Sequence, residues 1–491
     1  MLILYNPASS AGRKPVLPMS LLALGAVLEG KHDYAIVDGN LEDDPVAVID
    51  RMVRDLGASV LGVTVMPGPQ LRLAVPHCRQ LKALHPDLTI VWGGYFPTQH
   101  YEACLRSGYV DYVVRGHGEV TFAALLDALK GGAAPGPLPG LAYRQPGSGE
   151  IVASSPAPIP HPEDLPGFPY QRVDLQRYIR GTFLGTRTLP HHSSYGCPFF
   201  CNFCAVVNMV NGRWLGQSGE HTAHVVRSLV QTWNLDAVEF YDNNFFVHEA
   251  RSADFAARIM DLGISWWGES RIDTLLKYSD RSWALLRDSG LKMVFMGAES
   301  GSNETLRRMN KGGSAAAEKT LTIAAKMAQY GIIPEFSFVL GNPPDPEADV
   351  QQTLAFIRQV KQVNARSEII LYTYTPVPLA GELYDQAQAA GFHFPATLEE
   401  WISPGWQEFA QRRNTHVPWL KDPLRRQLHD FERVLNAYYP TATNADLNGA
   451  ACWVLRIASG WRYRTGYYRH PLELRALQKV LAYQRPETSG L

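Results

Sequence analysis

The sequence predicts an α/β protein in which two successive series of strand–helix units are followed by a helical C-terminal region. Short apolar runs rich in β-branched residues alternate with segments of helical spacing over most of the chain. A stretch dense in proline and glycine separates the two series, and the alternation stops after about residue 390. A chain of 491 residues is too long for one ordinary core, so we expect several domains.

The first series, residues 1–145, contains five predicted strand–helix units. The strands are predicted at 2–5, 34–37, 60–65, 88–92 and 109–114, and the helices at 17–28, 45–56, 70–84, 101–106 and 119–129. Continuous apolar strands that alternate with helices indicate a parallel sheet covered on both faces. We therefore predict a doubly wound, Rossmann-like domain whose ligand lies at the carboxyl ends of the strands.

Residues 146–185 are predicted to be a linker, preceded by one short strand at 141–143, because proline and glycine crowd this region. The second series, residues 186–390, contains six predicted strands. These lie at 189–195, 237–242, 264–270, 293–297, 334–341 and 368–376, and the clearest helices between them at 221–233, 250–262, 315–330 and 348–363.

The C-terminal region, residues 391–491, is predicted to be helical, with helices over 421–437 and 472–483. The block Trp453–Tyr468 mixes aromatic residues with arginines. We interpret it as a cap that lines a large substrate or as an amphipathic helix on a membrane surface. A packed helical cap with snorkelling arginines is the simpler alternative.

Charge and composition limit the function. The net charge is −1 and the pI about 7.0, which does not suit a sequence-independent nucleic-acid binder. The first residues lack a charged leader followed by an apolar stretch, and no run is long enough to span a bilayer. Three of the six cysteines are clustered, which favours metal chemistry in a reducing cytoplasm over a disulfide framework.

The three clustered cysteines are Cys197, Cys201 and Cys204. A loop this short can bring three thiolates to one centre, and thiolates bind zinc or iron–sulfur clusters. A closed zinc site needs four ligands, and the nearest candidates for a fourth are His191 and His192. A cluster held by three cysteines instead leaves one iron open to a substrate or cofactor. Both a zinc loop and an open cluster therefore remain possible at this point.

The spacing CxxxCxxC with Phe203 before the last cysteine resembles the cluster loop of radical S-adenosylmethionine (SAM) enzymes. The resemblance implies a [4Fe-4S] cluster on Cys197, Cys201 and Cys204, with SAM bound to the open iron. It also implies a partial (β/α)6 barrel over residues 186–390, an external electron donor of the flavodoxin or ferredoxin type, and cleavage of SAM to a 5′-deoxyadenosyl radical.

Polar residues at the ends of the predicted barrel strands are the candidates for binding SAM. Besides Phe203 they are Asp242, Asn243, Glu269, Arg271, Glu299 and Lys311. The ribose diol of SAM requires carboxylate acceptors, for which we select Glu269 and Glu299. Its methionine carboxylate requires a cation, for which we select Lys311 or Arg271. In the family, the end of the second strand, here Asp242 and Asn243, binds the SAM amino group.

The first domain is similar to the cobalamin-binding domain that precedes many radical SAM enzymes. The similarity rests on Gly93-Gly94-Tyr-Phe-Pro97-Thr98 and on the run from Asp111 to Glu119. It implies cobalamin contacts from Asp38, Thr64, Gly93, Gly94, Gly116 and Glu119. The motif Asp-x-His-x-x-Gly, whose histidine ligates cobalt in many cobalamin domains, is absent, so we expect binding without a lower histidine ligand.

The combined resemblance implies a cytoplasmic, cobalamin-dependent radical SAM enzyme that acts on a small molecule. The favoured activity is methylation of an unactivated carbon of a secondary metabolite, lipid or tetrapyrrole. An oxidative cyclase or rearrangement enzyme with the same cofactors is the main alternative. A cobalamin-binding sensor with a vestigial barrel and a zinc-stabilised binding protein are the others. No nucleic-acid partner is expected.

Overall fold

The computed structural model describes residues 1–9, 15–131, 135–311, 316–410, 417–443 and 447–481. The predicted helix start at residue 315 and the predicted helix end at 482–483 lie outside these ranges. Within the described parts of the chain, none of the helices combines the length and the apolar composition that crossing a bilayer requires.

A seven-stranded sheet forms the N-terminal part. Its strands are β1 (Leu2–Asn6), β2 (Tyr34–Asp38), β3 (Val60–Thr64), β4 (Thr89–Gly93), β5 (Tyr112–Val114), β6 (Leu141–Arg144) and β7 (Ile151–Ala153). Its helices are α1 (Met19–Leu28), α2 (Pro45–Leu56), α3 (Pro69–Leu84), α4 (Tyr95–Gln99), α5 (Tyr101–Arg106) and α6 (Glu119–Lys130). The order is β2-β1-β3-β4-β5-β6-β7, with β1 to β5 parallel and β6 and β7 antiparallel. The doubly wound prediction is confirmed.

Local sequence sets the bounds of α2. The Asp44 side chain accepts a hydrogen bond from the backbone N–H of Ala47 at 3.0 Å, and Pro45 occupies the first helical position. Gly57, with φ +64°, ends the helix in the left-handed conformation that glycine adopts at little cost. Because both end signals are local, the sequence predicts this helix correctly at both ends.

Six parallel strands in sequential order form an open barrel. The barrel strands are β8 (Thr188–His191), β11 (Ala237–Phe240), β12 (Ser265–Ser270), β13 (Leu291–Glu299), β14 (Ile333–Leu340) and β15 (Glu368–Thr373). Between β8 and β11 the chain forms a separate hairpin of β9 (Ser194–Gly196) and β10 (Trp214–Gly216). The helices are α7 (Val206–Val210), α8 (Gly219–Trp233), α9 (Glu249–Ile259), α10 (Ile272–Leu275), α11 (Asp280–Asp288), α12 (Asn303–Arg308), α13 (Ala317–Tyr330) and α14 (Pro346–Val363). Strands and helices alternate around the barrel as predicted.

The predicted strand over 189–195 is wrong, because the chain breaks into β8 and β9. The buried carboxylate of Asp242 accepts hydrogen bonds from the backbone N–H and hydroxyl of Ser193 and from the hydroxyl of Ser194. These bonds turn the chain out of the barrel sheet, so that β9 pairs with β10 instead. The turn directs the cysteine loop over the carboxyl ends of the barrel strands.

The C-terminal region is helical, as predicted. Its helices are α15 (Glu382–Ala389), α16 (Leu398–Trp401), α17 (Pro404–Ala410), α18 (Asp422–Tyr438), α19 (Gly449–Thr465) and α20 (Leu472–Leu481). The Trp401 ring packs 5.0 Å from Phe96 and 4.5 Å from His100 of the first domain. This aromatic cluster joins the C-terminal region to the first sheet.

The predicted linker contains more structure than expected, because β7 pairs with β6 and extends the first sheet. Its later part crosses between the two sheets. There the Tyr178 hydroxyl donates to Asp38 at 2.6 Å, and a bridge joins Arg180 to Thr188. The segment therefore fixes the two sheets relative to each other, whereas the predicted domain boundaries stay a prediction.

Candidate functional site

The cysteine loop lies between β9 and α7 and is anchored to the segment after α12. Gly196 has φ +82°, a conformation that favours glycine. The backbone N–H of Asn202 donates to the carbonyl of Met309 at 3.0 Å, and its side chain donates to the carbonyl of Arg308 at 2.7 Å. These two hydrogen bonds fasten the middle of the cysteine loop to the end of α12.

A side-chain nitrogen lies near the sulfur of two of the three cysteines. Asn244 Nδ2 lies 3.7 Å from Cys197 Sγ, and Arg271 Nη1 lies 3.4 Å from Cys201 Sγ. The Arg271 guanidinium also pairs with Asp273 at 3.0 Å and lies 3.7 Å from the centre of the Phe199 ring. Donors directed at sulfur stabilise the negative charge of a thiolate or a cluster, so these residues fit an iron–sulfur site.

Burial raises the pKa of the Cys204 thiol to about 12. Burial also raises the pKa of Cys201, although the charges of Lys311 and Arg271 act in the opposite direction. Both groups are thiols when no metal is bound, and ligation by iron displaces their protons. The two buried cations lower the cost of that step.

The zinc alternative needs a histidine close to the sulfurs. His191 instead forms a hydrogen bond of 3.1 Å with the Tyr170 hydroxyl and packs against Phe168 and Phe240, and burial lowers its pKa to about 3. Among the described residues, no three histidine, cysteine, aspartate or glutamate side chains converge as a single metal ion requires. The nitrogen donors directed at Cys197 and Cys201 are instead what an iron–sulfur site needs, so the surroundings of the sulfurs favour the cluster.

Glu299 and Lys311 form a buried ion pair beside the loop. Their Oε1 and Nζ atoms lie 2.5 Å apart, and the residues are only 6% and 7% exposed. Glu299 has φ +64°, and a side chain at Gly297 would collide with both members of the pair. Lys311 Nζ also lies 6.0 Å from the centre of the Phe203 ring. The structure thus brings together three of the predicted SAM-binding residues.

The end of β11 differs in detail from the expectation. Asp242 is fully buried and its carboxylate is used by Ser193 and Ser194, whereas Asn243 is exposed. The side chain that reaches the cysteines is Asn244, whose Oδ1 is buried without a hydrogen-bond partner. The sequence predicts Asp242 and Asn243 as the binding residues and not Asn244, because a run of three polar residues does not reveal which one turns inward.

Glu269 lies in the lumen of the barrel. The register aligns it with Phe295, and aligns Phe295 with Glu335 of β14. These strand positions alternate with positions whose side chains pack against the helices, so their side chains point inward. Glu269, Phe295 and Tyr241 keep partial exposure although they line the barrel interior. Solvent therefore reaches the part of the barrel interior that adjoins the apolar residues Leu184, Trp267 and Met293.

Glu335 carries a proton in this lumen. Burial raises its pKa to about 8, the hydrogen bond from Trp267 at 3.2 Å opposes the shift, and the charge of Glu368 adds to it. Its Oε1 atom is buried without a hydrogen-bond partner. A protonated carboxyl is the form that this environment tolerates.

We expect Glu335→Gln to remove a pH dependence of stability. Folded Glu335 keeps its proton to about pH 8, whereas in the unfolded chain it loses the proton near 4.5. The stability that this group contributes is therefore complete below about pH 4.5, and it falls by on the order of 5 kcal/mol as the pH rises from there to about 8. Thermal unfolding from pH 5 to 9 measures the difference, with exposed Glu304→Gln as the control. Parallel pH curves for wild type and variant would contradict the prediction.

The predicted cobalamin residues lie at the carboxyl ends of the first sheet. The Asp38 carboxylate accepts hydrogen bonds from the side chain of Asn6, the backbone N–H of Asn40 and the hydroxyl of Tyr178. These contacts within the protein already occupy it. Thr64 accepts from Ser20 at 3.2 Å. A Cβ atom at Gly93 would make only an ordinary contact, 3.6 Å from the carbonyl oxygen of Val114.

Two further glycines on this edge, Gly94 and Gly116, have φ +99° and +78°. A side chain at Gly94 would lie only 3.2 Å from the backbone of Val65. Close packing against Val65 therefore requires glycine at position 94. The absence of side chains at Gly94 and Gly116 also fits the approach of a corrin or its tail to these strand ends.

Glu119 begins α6 and faces the barrel domain. It is 4% exposed, its Oε2 lies 3.9 Å from His117 Nδ1, and the His117 ring lies 4.4 Å from the ring of Tyr195. Burial acts to raise the pKa of Glu119, but His117 and the backbone hold it below its usual value. Tyr195 stands two residues before Cys197, so this contact brings the first sheet to the cysteine loop. His117 and Tyr195 are site residues that sequence reasoning did not select.

Comparisons with known proteins agree with this arrangement. The B12 binding domain family matches residues 13–126, and the Radical SAM superfamily matches residues 192–357. An uncharacterized methyltransferase of Pyrococcus horikoshii is 27% identical over 369 residues, which cover 73% of this chain and 78% of that protein. An anaerobic magnesium-protoporphyrin IX monomethyl ester cyclase of Synechocystis is also 27% identical, over 65% of this chain and 64% of that protein.

A solved structure shares the whole fold. The radical SAM methyltransferase TsrM from Kitasatospora setae, solved with cobalamin and a [4Fe-4S] cluster, aligns with a TM-score of 0.68 over 98% of each chain. The two sequences are 16% identical, so the likeness concerns the fold alone. It covers both sheets and the helical C-terminal region.

Proposed function

Because this chain belongs to the cobalamin-binding radical SAM enzymes, we propose that it transfers a methyl group to an unactivated carbon of a small molecule, such as a secondary metabolite, lipid or tetrapyrrole. The observation that carries the proposal is the contact between the two cofactor regions. The ring of His117, at the edge of the first sheet, contacts the ring of Tyr195, which leads into the cysteine loop. A methyl carrier on the first sheet and a radical generated at the loop would therefore share one cavity.

Each cofactor has its own set of residues in this proposal. Cys197, Cys201 and Cys204 hold the cluster, with Asn244 and Arg271 donating toward the sulfurs. Glu299 and Lys311 open their mutual pair and bind the ribose and the carboxylate of SAM. The glycine-bearing strand ends and Thr64 receive cobalamin. When bound, the cluster supplies the electron that cleaves SAM, and cobalamin carries the methyl group.

We place the substrate in the barrel lumen. Tyr241, Glu269 and Phe295 line it and remain partly exposed, while Glu239 on the same wall is held by Arg180 at 3.2 Å. Aromatic rings and carboxyl groups suit a substrate with a flat apolar body and a hydrogen-bond donor. The protein's contribution is to position the substrate C–H and to exclude water.

An oxidative cyclisation with the same cofactors is the second candidate. The similarity to the cyclase of Synechocystis favours it, because that protein is 27% identical to this chain over 334 residues. The sensor alternative is weaker, since the barrel keeps all three cysteines and the donors around them. The two catalytic candidates differ in product and not in cofactor.

Turnover with labelled SAM tests the proposal. Each methylation would consume two SAM and two electrons from an external donor, and would release one S-adenosylhomocysteine, one methionine and one 5′-deoxyadenosine. With SAM labelled in its methyl group, we expect the product to gain one labelled CH₂ unit relative to the substrate. The assay uses anaerobically reconstituted protein, cobalamin and a cell extract as the source of substrate, read by mass spectrometry. Formation of 5′-deoxyadenosine with no labelled product would instead support the cyclase.

A further inference from the structure

The outer side of α19 is apolar and uncovered in the described part of the chain. Trp453, Val454, Ile457 and Trp461 are 65%, 39%, 57% and 52% exposed. Their spacing places them along one side of the helix, because residues four apart lie one above the other. The other side, with Leu455 and Tyr463, is buried against α18. We call the exposed side the α19 face.

The aromatic end of the α19 face is held in place. The rings of Trp461 and Tyr467 stack with centres 6.0 Å apart. The Arg462 guanidinium lies 4.6 Å from the centre of the Trp461 ring and is itself fixed by an ion pair with Glu473. Two large rings therefore stand at the surface without the entropy cost of ordering them on binding.

The charge of the segment that carries this face has one sign. Arg456, Arg464 and Arg469 are exposed next to the face, and the sole acidic residue between 447 and 481 is Glu473, which pairs with Arg462. Two copies of the chain joined through this face would bring these arginines together, and the one acid of the segment is already paired. A surface of negative phosphates would instead match both the arginines and the tryptophans.

We propose that the α19 face docks on a membrane surface that carries anionic headgroups. The helix lies in the plane of the membrane, with Trp453, Ile457 and Trp461 in the interfacial layer. Arg456 and Arg464 extend to the phosphates, since long basic side chains keep their charge in water while their stems contact apolar groups. The proposal is independent of the reaction that the barrel performs.

Flotation of the full chain with vesicles tests the proposal. We expect the protein to float with phosphatidylcholine–phosphatidylglycerol vesicles and at least about tenfold less with phosphatidylcholine alone, because the arginines contribute an electrostatic attraction to anionic headgroups. Raising the salt to about 0.5 M should weaken binding, since it screens exposed charges.

Three variants separate the apolar from the electrostatic contribution to vesicle binding. Trp453→Ser/Trp461→Ser and Arg456→Gln/Arg464→Gln should each lower the bound fraction at least about tenfold, since all four side chains are exposed. Leu56→Ser, at an equally exposed leucine in the first domain, should leave it unchanged. Circular dichroism and cobalamin content show that each variant folds.

Two results would overturn the proposal. One is the absence of flotation with anionic vesicles. The other is a wild-type dimer in solution that Trp453→Ser/Trp461→Ser converts to a monomer, which would identify a second copy as the occupant.

Discussion

Replacing Cys201 with alanine is expected to abolish formation of 5′-deoxyadenosine while cobalamin binding persists. Cys201 is one of three candidate ligands and the one that Arg271 contacts, so its loss removes a ligand and leaves the guanidinium facing an empty position. We expect the rate of SAM cleavage to fall by more than about a thousandfold. Iron and acid-labile sulfide after anaerobic reconstitution, together with chromatography of the nucleoside products, measure the effect.

Cys452→Ala is the matched control, because Cys452 is a free cysteine on α19, far along the chain from the loop. It should retain full iron content and cleavage. Cobalamin bound to Cys201→Ala, followed by its absorbance, shows that the first sheet is intact. Cleavage of SAM by Cys201→Ala at a rate close to wild type would disprove the cluster assignment.

Lys311→Met is expected to produce the second large effect. The substitution leaves the Glu299 carboxylate buried without its cation, and such a change costs about 3 kcal/mol of unfolding free energy. It also removes the cation proposed for the SAM carboxylate, so SAM affinity should fall at least about tenfold. Thermal unfolding of the cluster-free protein and calorimetric titration of the reconstituted protein with SAM measure the two effects separately.

The double variant Glu299→Gln/Lys311→Met distinguishes the two causes. It removes both charges, so most of the lost stability should return while SAM binding stays weak. Lys292→Met makes the same substitution at an exposed lysine on β13, the strand that ends at Glu299. It should change neither the stability nor the affinity for SAM. If the double variant recovered SAM affinity along with stability, the pair would have only a structural role.

Much of the fold follows from short-range patterns. The helices over 45–56 and 101–106 are predicted with both ends correct, because their end signals lie within a few residues. The strands β1 to β5 and the barrel strands are recognised by continuous apolar runs. The short helices α10 and α12 were not predicted, since one or two turns carry too few residues to show a period.

The candidate site, like the fold, has features that the sequence predicts and features that it does not. The cysteine spacing predicts the loop because all three residues lie within eight positions of one another. The break between β8 and β9 escaped prediction, because its cause is the carboxylate of Asp242, which lies almost fifty residues later in the chain. The same holds for Asn244, whose inward direction depends on how the end of β11 turns.

The sequence by itself therefore determined the two α/β units, the three cysteines and the candidate SAM-binding side chains at the strand ends. Only the tertiary structure decided which of these side chains meet. It paired Glu299 with Lys311, directed Arg271 to Cys201, placed Glu269 in the lumen and left the α19 face uncovered. The physical reason is that spacing along a strand or helix fixes which side a residue faces, whereas contacts between distant segments depend on how separate elements pack.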